Sequence, residues 1–491
     1  MKIKNITLIV ILITSLTVGP FLSVSAETNP LTPPTSTLDD TVLTVVTRHD
    51  TTIQAAFKTA FLATPRAVEL GITDMVFLQA TTDEGWKKLL EDPAKGVDLA
   101  WGGGPSLFNT MNNWGLLKAI DNTTLNDYIN TNVPDEIAEA SMKLNNTSGE
   151  LIWIANAISS FGFTVNHDFL DQYGLPVPYT WEELASPAYY INPSVKAISL
   201  GDPPLTTSNT RIYQIILQAF GWEVGWSLMT RMGGNSGIYP GSVDTRAAVV
   251  SGEVGIAMTI DFYGVIAARE NPSCEYIIPD GQSIVNGDPI ALGINVDAQE
   301  GAEAFLEYLF SAEGQSVWLT EGLDRLPVVV EAFATPFGLI KPALYTLYNL
   351  TLANEGIDFN ETEATDLLDV TIYYFHNTIA SPHSLLRQTW GEMVTQLRNG
   401  DINESYFSEL VEDLGAVNMT YEDAFTINEE FISDPLDAAK YESQWRNFAG
   451  IKYNAIYQAL VPSENPLPTL PVIISIAFLA AVPIICKKRK N

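Results

Sequence analysis

Cysteine is nearly missing from this 491-residue chain: only Cys274 and Cys486 occur, so no disulfide framework holds the fold and core packing must stabilise it. Basic residues are scarce too, 26 against 58 acidic ones, giving a formal charge of −32. Neutralising a phosphate backbone needs clustered Lys and Arg, so nucleic acid is excluded as a partner. Histidine is limited to His49, His167, His376 and His383, none at ligand spacing, and there is no GxSxG elbow, HExxH, P-loop or CxxC pattern. These absences argue against a nucleophilic or zinc enzyme and assign no catalytic residue, metal centre or cofactor. Spacing cannot decide on a carboxylate pair, because the acidic residues are so many. A secreted, membrane-anchored carboxylate-dependent hydrolase therefore stays open as an alternative.

What is present is a chain with 46% apolar residues, enough for a large buried core. Lys2 and Lys4, an apolar run over 6–18 and the small residues before position 27 read as an export signal over 1–26. Residues 27–40, with Pro30, Pro33 and Pro34, read as a linker. At the other end, residues 467–486 are free of charge, and Lys487, Lys488, Arg489 and Lys490 follow at once. This pattern predicts a stalk over 463–469, a transmembrane helix over 470–486 and a cytoplasmic basic tail over 487–491. The expected location is thus the cell membrane, single-pass, with the intervening domain extracellular. Asn-X-Ser/Thr sequons at Asn122, Asn145, Asn146, Asn349, Asn360, Asn403 and Asn418 fit an exported glycoprotein.

Between these ends the hydrophobic period alternates. A β-branched run over 41–47 is followed by helical spacing over 52–62, then a helix ending at Pro93 and a short strand over 97–101. Ile212, Ile215, Ile216 and Ala219 form a helix stripe, 243–250 a short helix, 255–260 a strand and 301–319 an amphipathic helix. Strands alternating with helices predict a mostly parallel sheet covered on both faces. Beyond Pro327 only helical stripes remain, such as Leu386, Trp390, Met393 and Leu397, so residues 331–462 are expected to be a helical extension.

Open α/β sheets bind ligands at strand exits. The loop Trp101-Gly102-Gly103-Gly104 would let a ligand approach the backbone beside an aromatic wall, or it is a tight turn next to a core tryptophan. Thr206, Thr207, Ser208 and Asn209 precede a helix stripe and would offer hydroxyls and N–H groups to an anion, or simply cap that helix. The strand over 41–47 exits at His49 and Asp50, and that over 255–260 at Asp261 and Tyr263. These residues would ligate a hard cation or only bond locally.

Several ordered segments carry a family resemblance. Ser160-Phe161-Gly162-Phe163-Thr164-Val165-Asn166, then Leu175-Pro176-Val177-Pro178-Tyr179-Thr180-Trp181, and later segments over 215–226, 250–263, 278–281 and 302–315, resemble extracellular solute-binding proteins of ATP-binding cassette (ABC) importers. The likeness is to the ferric-iron and phosphonate-type branch of type II periplasmic binding proteins. It implies a bilobal α/β domain over 41–330, with lobe one at 41–157 and 285–330 and lobe two at 158–284, hinged near 158–161. It also implies a small solute, anionic or iron-containing, and permease and ATPase subunits as partners. Ferric-binding members use adjacent tyrosines, and here Tyr263 is followed by Gly264.

Overall fold

A computed structural model describes residues 41–461 apart from 81 and 139. The expected signal (1–26), linker (27–40), stalk (463–469), membrane helix (470–486) and tail (487–491) lie outside the described residues.

The β-branched run Thr41–Thr47 is a strand, parallel to Ile72–Gln79 on one side and Leu99–Trp101 on the other. Val285–Gly293 closes this half of the sheet, antiparallel to Leu99–Trp101. In the other half, Ile198–Gly201 lies between Ser236–Tyr239 and Ile256–Ile260, parallel to both. One strand, Leu151–Asn166, joins the halves, and all 16 of its residues are buried. Its residues 154–160 pair with Val285–Gly293, and from Phe161 onward they pair with Ile256–Ile260. The molecule is thus bilobal, with the switch of partner at Ser160 and Phe161. A core of Leu43, Phe57, Trp101, Phe305 and Trp318 fills lobe one, and one of Phe163, Trp181, Tyr213, Ile216 and Met258 fills lobe two.

The helical C-terminal region divides between these cores. Helix Pro342–Ala353 buries Leu344, Leu347 and Tyr348 against lobe one. The chain then crosses back, with Ile357 N–H donating to the Ser283 carbonyl at 3.0 Å. Leu368–Phe375, His383–Asn399 and Pro435–Leu460 join the core of lobe two. Gly234 makes this docking close: a Cβ there would meet the Trp390 ring at 2.5 Å, and Trp390 Nε1 donates to Asn235 Oδ1 at 2.7 Å. Three of the sequon asparagines, Asn122, Asn360 and Asn403, are helix N-caps.

The expected single-pass membrane location is corrected. Among the described residues no helix is long and apolar enough to cross a membrane. The longest, Pro435–Leu460, carries Asp437, Lys440, Glu442, Arg446 and Lys452, charges that a hydrocarbon core rejects. The helix expected over 301–319 also divides: Gln299–Leu309 ends, and Ser311 caps a new helix, Ala312–Ser316.

Candidate functional site: the cleft between the lobes

A cavity of about 910 Å³ opens between the lobes, a volume suited to a small organic molecule. Strand exits build both of its sides. On the lobe-one side, Thr41–Thr47 delivers Arg48, His49 and Asp50 to the cavity, and the returning strand delivers Asn286, Gly287 and Asp288. Asp50 caps helix Thr51–Leu62, accepting from Thr52 N–H at 2.7 Å. Gly103 has φ +125, a conformation that disfavours any Cβ, and its N–H donates to Asp288 Oδ1 at 3.2 Å.

Asp288 is the centre of this wall. Arg325 Nη1 approaches Asp288 Oδ2 at 2.8 Å, and Arg325 lies over the rings of Trp318 and Phe262. His49 Nε2 stands 3.7 Å from the same oxygen, too far for a hydrogen bond. Burial holds the His49 imidazole down at about 4, so it is neutral at pH 7 and Arg325 is the ionic partner. For Asp288, burial alone would raise the carboxyl, but the charges around it and the Gly103 N–H hold it below its ordinary value. Two buried nitrogens, His49 Nε2 and Arg325 Nε, have no hydrogen-bond partner among the described residues.

Across the cavity lie Thr206, Thr207 and Ser208 at the start of helix Thr207–Phe220. Thr206 caps it, accepting from Asn209 N–H at 3.4 Å, and the hydroxyls of Thr206 and Ser208 both bond to Ser242 Oγ. The first N–H groups of a helix lack intrahelical acceptors and carry the positive end of its dipole, which favours an anion. Arg48 and Arg211 add positive charge at the rim. Each leans on a carboxylate outside the cavity, Arg48 on Asp83 at 2.7 Å and Arg211 on Glu361 at 3.1 Å.

With this geometry in place, the comparisons with known proteins can be set beside it. Positions 63–344 match the bacterial extracellular solute-binding protein family. The chain belongs to that family. Among curated proteins it is similar to the phosphoglycerate transport regulatory protein PgtC of Salmonella typhimurium, 26% identical over 195 residues, which is 40% of this chain and 47% of that protein. The chain therefore spans about half the length of the curated relative it matches. Its fold resembles the periplasmic binding protein AfuA of Actinobacillus pleuropneumoniae, at 16% identity and TM-score 0.50 over 69% of this chain and 98% of the other. It also resembles the spermidine/putrescine ABC transporter substrate-binding protein PotD of Streptococcus pneumoniae, at 16% identity and TM-score 0.51 over 68% and 98%. These likenesses establish an α/β bilobal periplasmic-binding-protein fold. The family is one of binding proteins rather than enzymes, which leaves the hydrolase alternative without support.

In this solute-binding protein the cleft brings together seven of the sequence-derived candidates: His49, Asp50, Gly103, Gly104, Thr206, Thr207 and Ser208. Five lie elsewhere. Trp101 is wholly buried, its Nε1 donating to Asn156 Oδ1 at 3.0 Å, and Gly102 N–H donates to the Pro289 carbonyl at 2.8 Å. Asn209 is buried with its Oδ1 on Gly201 N–H at 2.8 Å, a lock between strand and helix. Asp261 is buried under the crossing strand, accepting from Ser160 N–H at 2.7 Å. A helix starts at Asp261, so neighbouring side chains point about 100° apart, and it is Phe262 that faces the cleft. Tyr263 turns to Arg246 instead. A tyrosine pair cannot be restored here, since a Cβ on Gly264 would lie 2.5 Å from the Tyr276 ring.

Sequence reasoning missed Asp288 and Arg325. Arg325 sits in no motif, but it did leave one signal: it is the only basic residue between Arg269 and Lys341.

Proposed function

We propose that this chain is the substrate-binding component of an ABC importer, capturing a small organic anion in the interlobe cleft and delivering it to a permease driven by an ATPase. The observation that carries the anion is the pairing of walls. Arg325, with His49 beside it, lines one wall and faces the hydroxyl-bearing helix start at Thr207 and Ser208 on the other. An oxyanion between them would satisfy both sides at once. Two relatives support the class: PgtC is named for phosphoglycerate transport, and AfuA is described with fructose-6-phosphate bound. Iron is disfavoured by the broken tyrosine pair.

Capture takes the form of closure. The two walls belong to different lobes, and a solute touching both binds the closed arrangement better than the open one. The test is isothermal calorimetry on the full-length protein with inorganic phosphate, 3-phosphoglycerate, fructose 6-phosphate and spermidine. Binding of at least one phosphate compound, with none of spermidine, is the expected result. Binding of spermidine alone would overturn the anion.

A further inference from the structure

The cavity has a third wall, contributed by neither lobe's family-matched part. Leu368, Asp369, Ile372 and Tyr373 of helix Leu368–Phe375 line the same 910 Å³ space as Arg325 and Ser208. Their spacing puts them on one helix face. The family match ends at residue 344, so this wall lies outside it.

The back of the helix fixes the wall in place. Phe375 stacks on Tyr213 with ring centroids 4.2 Å apart, Tyr374 meets Trp226 at 4.7 Å, and the Val370 N–H donates to Asn428 Oδ1 at 2.9 Å. At its end, His376 Nδ1 lies 2.9 Å from the Asp202 carboxylate, which raises the imidazole above its ordinary value. The wall therefore moves with lobe two as one body and is part of its jaw.

The cleft-facing side carries two polar groups free of protein partners among the described residues. Asp369 is half-buried and makes no hydrogen bond or ion pair with any described residue, and burial pushes its carboxyl up. The Tyr373 hydroxyl likewise has no partner among the described residues. Leu368 and Ile372 beside them offer apolar surface. A bare oxyanion engaged by Arg325 and Ser208 would leave this wall uncovered, because the cavity holds many times the roughly 30 Å³ of one water.

We infer that residues 368–373 of the extension select the solute, reading the end remote from its charge and demanding hydroxyl or ammonium donors on a short carbon skeleton. Asp369 accepts from those donors and repels a second anionic group. The preferred class is then an organic anion with its negative charge at one end only. This rests on the anion reading above and adds to it which anions are admitted.

The experiment measures dissociation constants of the full-length protein for inorganic phosphate, fructose 6-phosphate, glucosamine 6-phosphate and fructose 1,6-bisphosphate. The proteins are the unaltered chain, Asp369→Asn, Tyr373→Phe and Arg325→Met, with melting curves for each. The unaltered protein is expected to prefer a sugar monophosphate to phosphate and to the bisphosphate by at least about ten-fold, the scale of one lost charged hydrogen bond. Asp369→Asn should raise affinity for the bisphosphate relative to both monophosphates and so erase the discrimination against it. Tyr373→Phe, which keeps the ring, should weaken only the sugar phosphates. Whether the hydroxyl or the ammonium donor is preferred follows from the two monophosphates. Equal affinities across the panel in the unaltered protein, or unchanged ratios in both wall variants, overturn the inference while the anion site stands. If no phosphate compound binds, or Arg325→Met has no effect on any of them, the anion site itself fails and the inference falls with it.

Discussion

Ser160 and Phe161 are consecutive in the chain but belong to different lobes: Ser160 lies opposite Val285, and Phe161 opposite Ile260. The ladder changes partner across a single peptide bond. Rotation there moves one jaw against the other without breaking either half-sheet, which is what a hinge requires. The returning strand and the crossing near Ile357 limit the motion to a bend about this line. Saturation with a bound anion is expected to lower the radius of gyration measured by small-angle X-ray scattering. An unchanged radius, with binding proven by calorimetry, would remove closure as the mode of capture.

Asp261 pins the hinge by accepting from Ser160 N–H at 2.7 Å, and burial raises its carboxyl from 3.8 to about 6. The folded protein thus holds this proton more tightly than the unfolded chain does. Its stabilising effect is full below pH 3.8 and is lost as pH rises to about 6. That interval corresponds to about 3 kcal/mol as an upper figure. Asn at this position keeps an acceptor for Ser160 and removes the charge. Asp261→Asn should gain stability over the unaltered protein as pH rises from about 4 to 6 and hold the gain above. Urea unfolding at several pH values measures it, and a variant less stable at every pH refutes the sign.

Ser208 faces the cleft, but the cap of its helix is Thr206. Ser208→Ala should therefore weaken anion binding by about ten- to a hundred-fold, equivalent to 1.5–3 kcal/mol, with little change in Tm. Thr206→Ala should instead cost about 1 kcal/mol of stability through the lost cap. Calorimetry paired with thermal melting separates the two. Full affinity in Ser208→Ala would leave the helix start as a cap and nothing more.

Trp390 inserts over Gly234 and is wholly buried, so the extension should be integral to lobe two rather than appended to it. Trp390→Ala is expected to cost about 3–5 kcal/mol, from the cavity and from the stranded Asn235 acceptor. Trp114, 41% exposed, is the control: Trp114→Ala should be nearly neutral in the same denaturant titration. A single two-state transition shared by lobe two and the extension would support the packing. A separate early transition in Trp390→Ala that left binding intact would contradict it.

Strands and helices were legible in the sequence where the period was clean. The β-branched run at Thr41–Thr47 and the stripe of Thr207–Phe220 stand where local pattern puts them. Leu151–Asn166 was harder, because Asn156, Ser159, Ser160 and Gly162 interrupt its apolar run, and the first three are hydrogen-bonded to partners far along the chain. The hydroxyl-bearing helix start was readable from its capping chemistry. Tyr263 was misplaced because the direction of a side chain depends on where its helix begins, and Ile260 carries no side-chain cap to announce it. The division of the extension between two lobes left no trace at all, since an apolar stripe looks the same whichever core receives it.

That division bears on how the protein is made. Lobe one takes its core from residues before 159 and again from 285–353, and lobe two takes its core from 161–284 and again from beyond 366. Neither half is a continuous stretch, so a chain leaving the ribosome must hold an unfinished first half, with its sheet lacking Val285–Gly293, while the second is synthesised. The second half then waits in turn for Trp390, Trp445 and Tyr453. Translation and folding are thereby interleaved rather than sequential, and truncation at the family boundary near 344 should yield a fragment that exposes the apolar face of helix Trp222–Asn235 and aggregates.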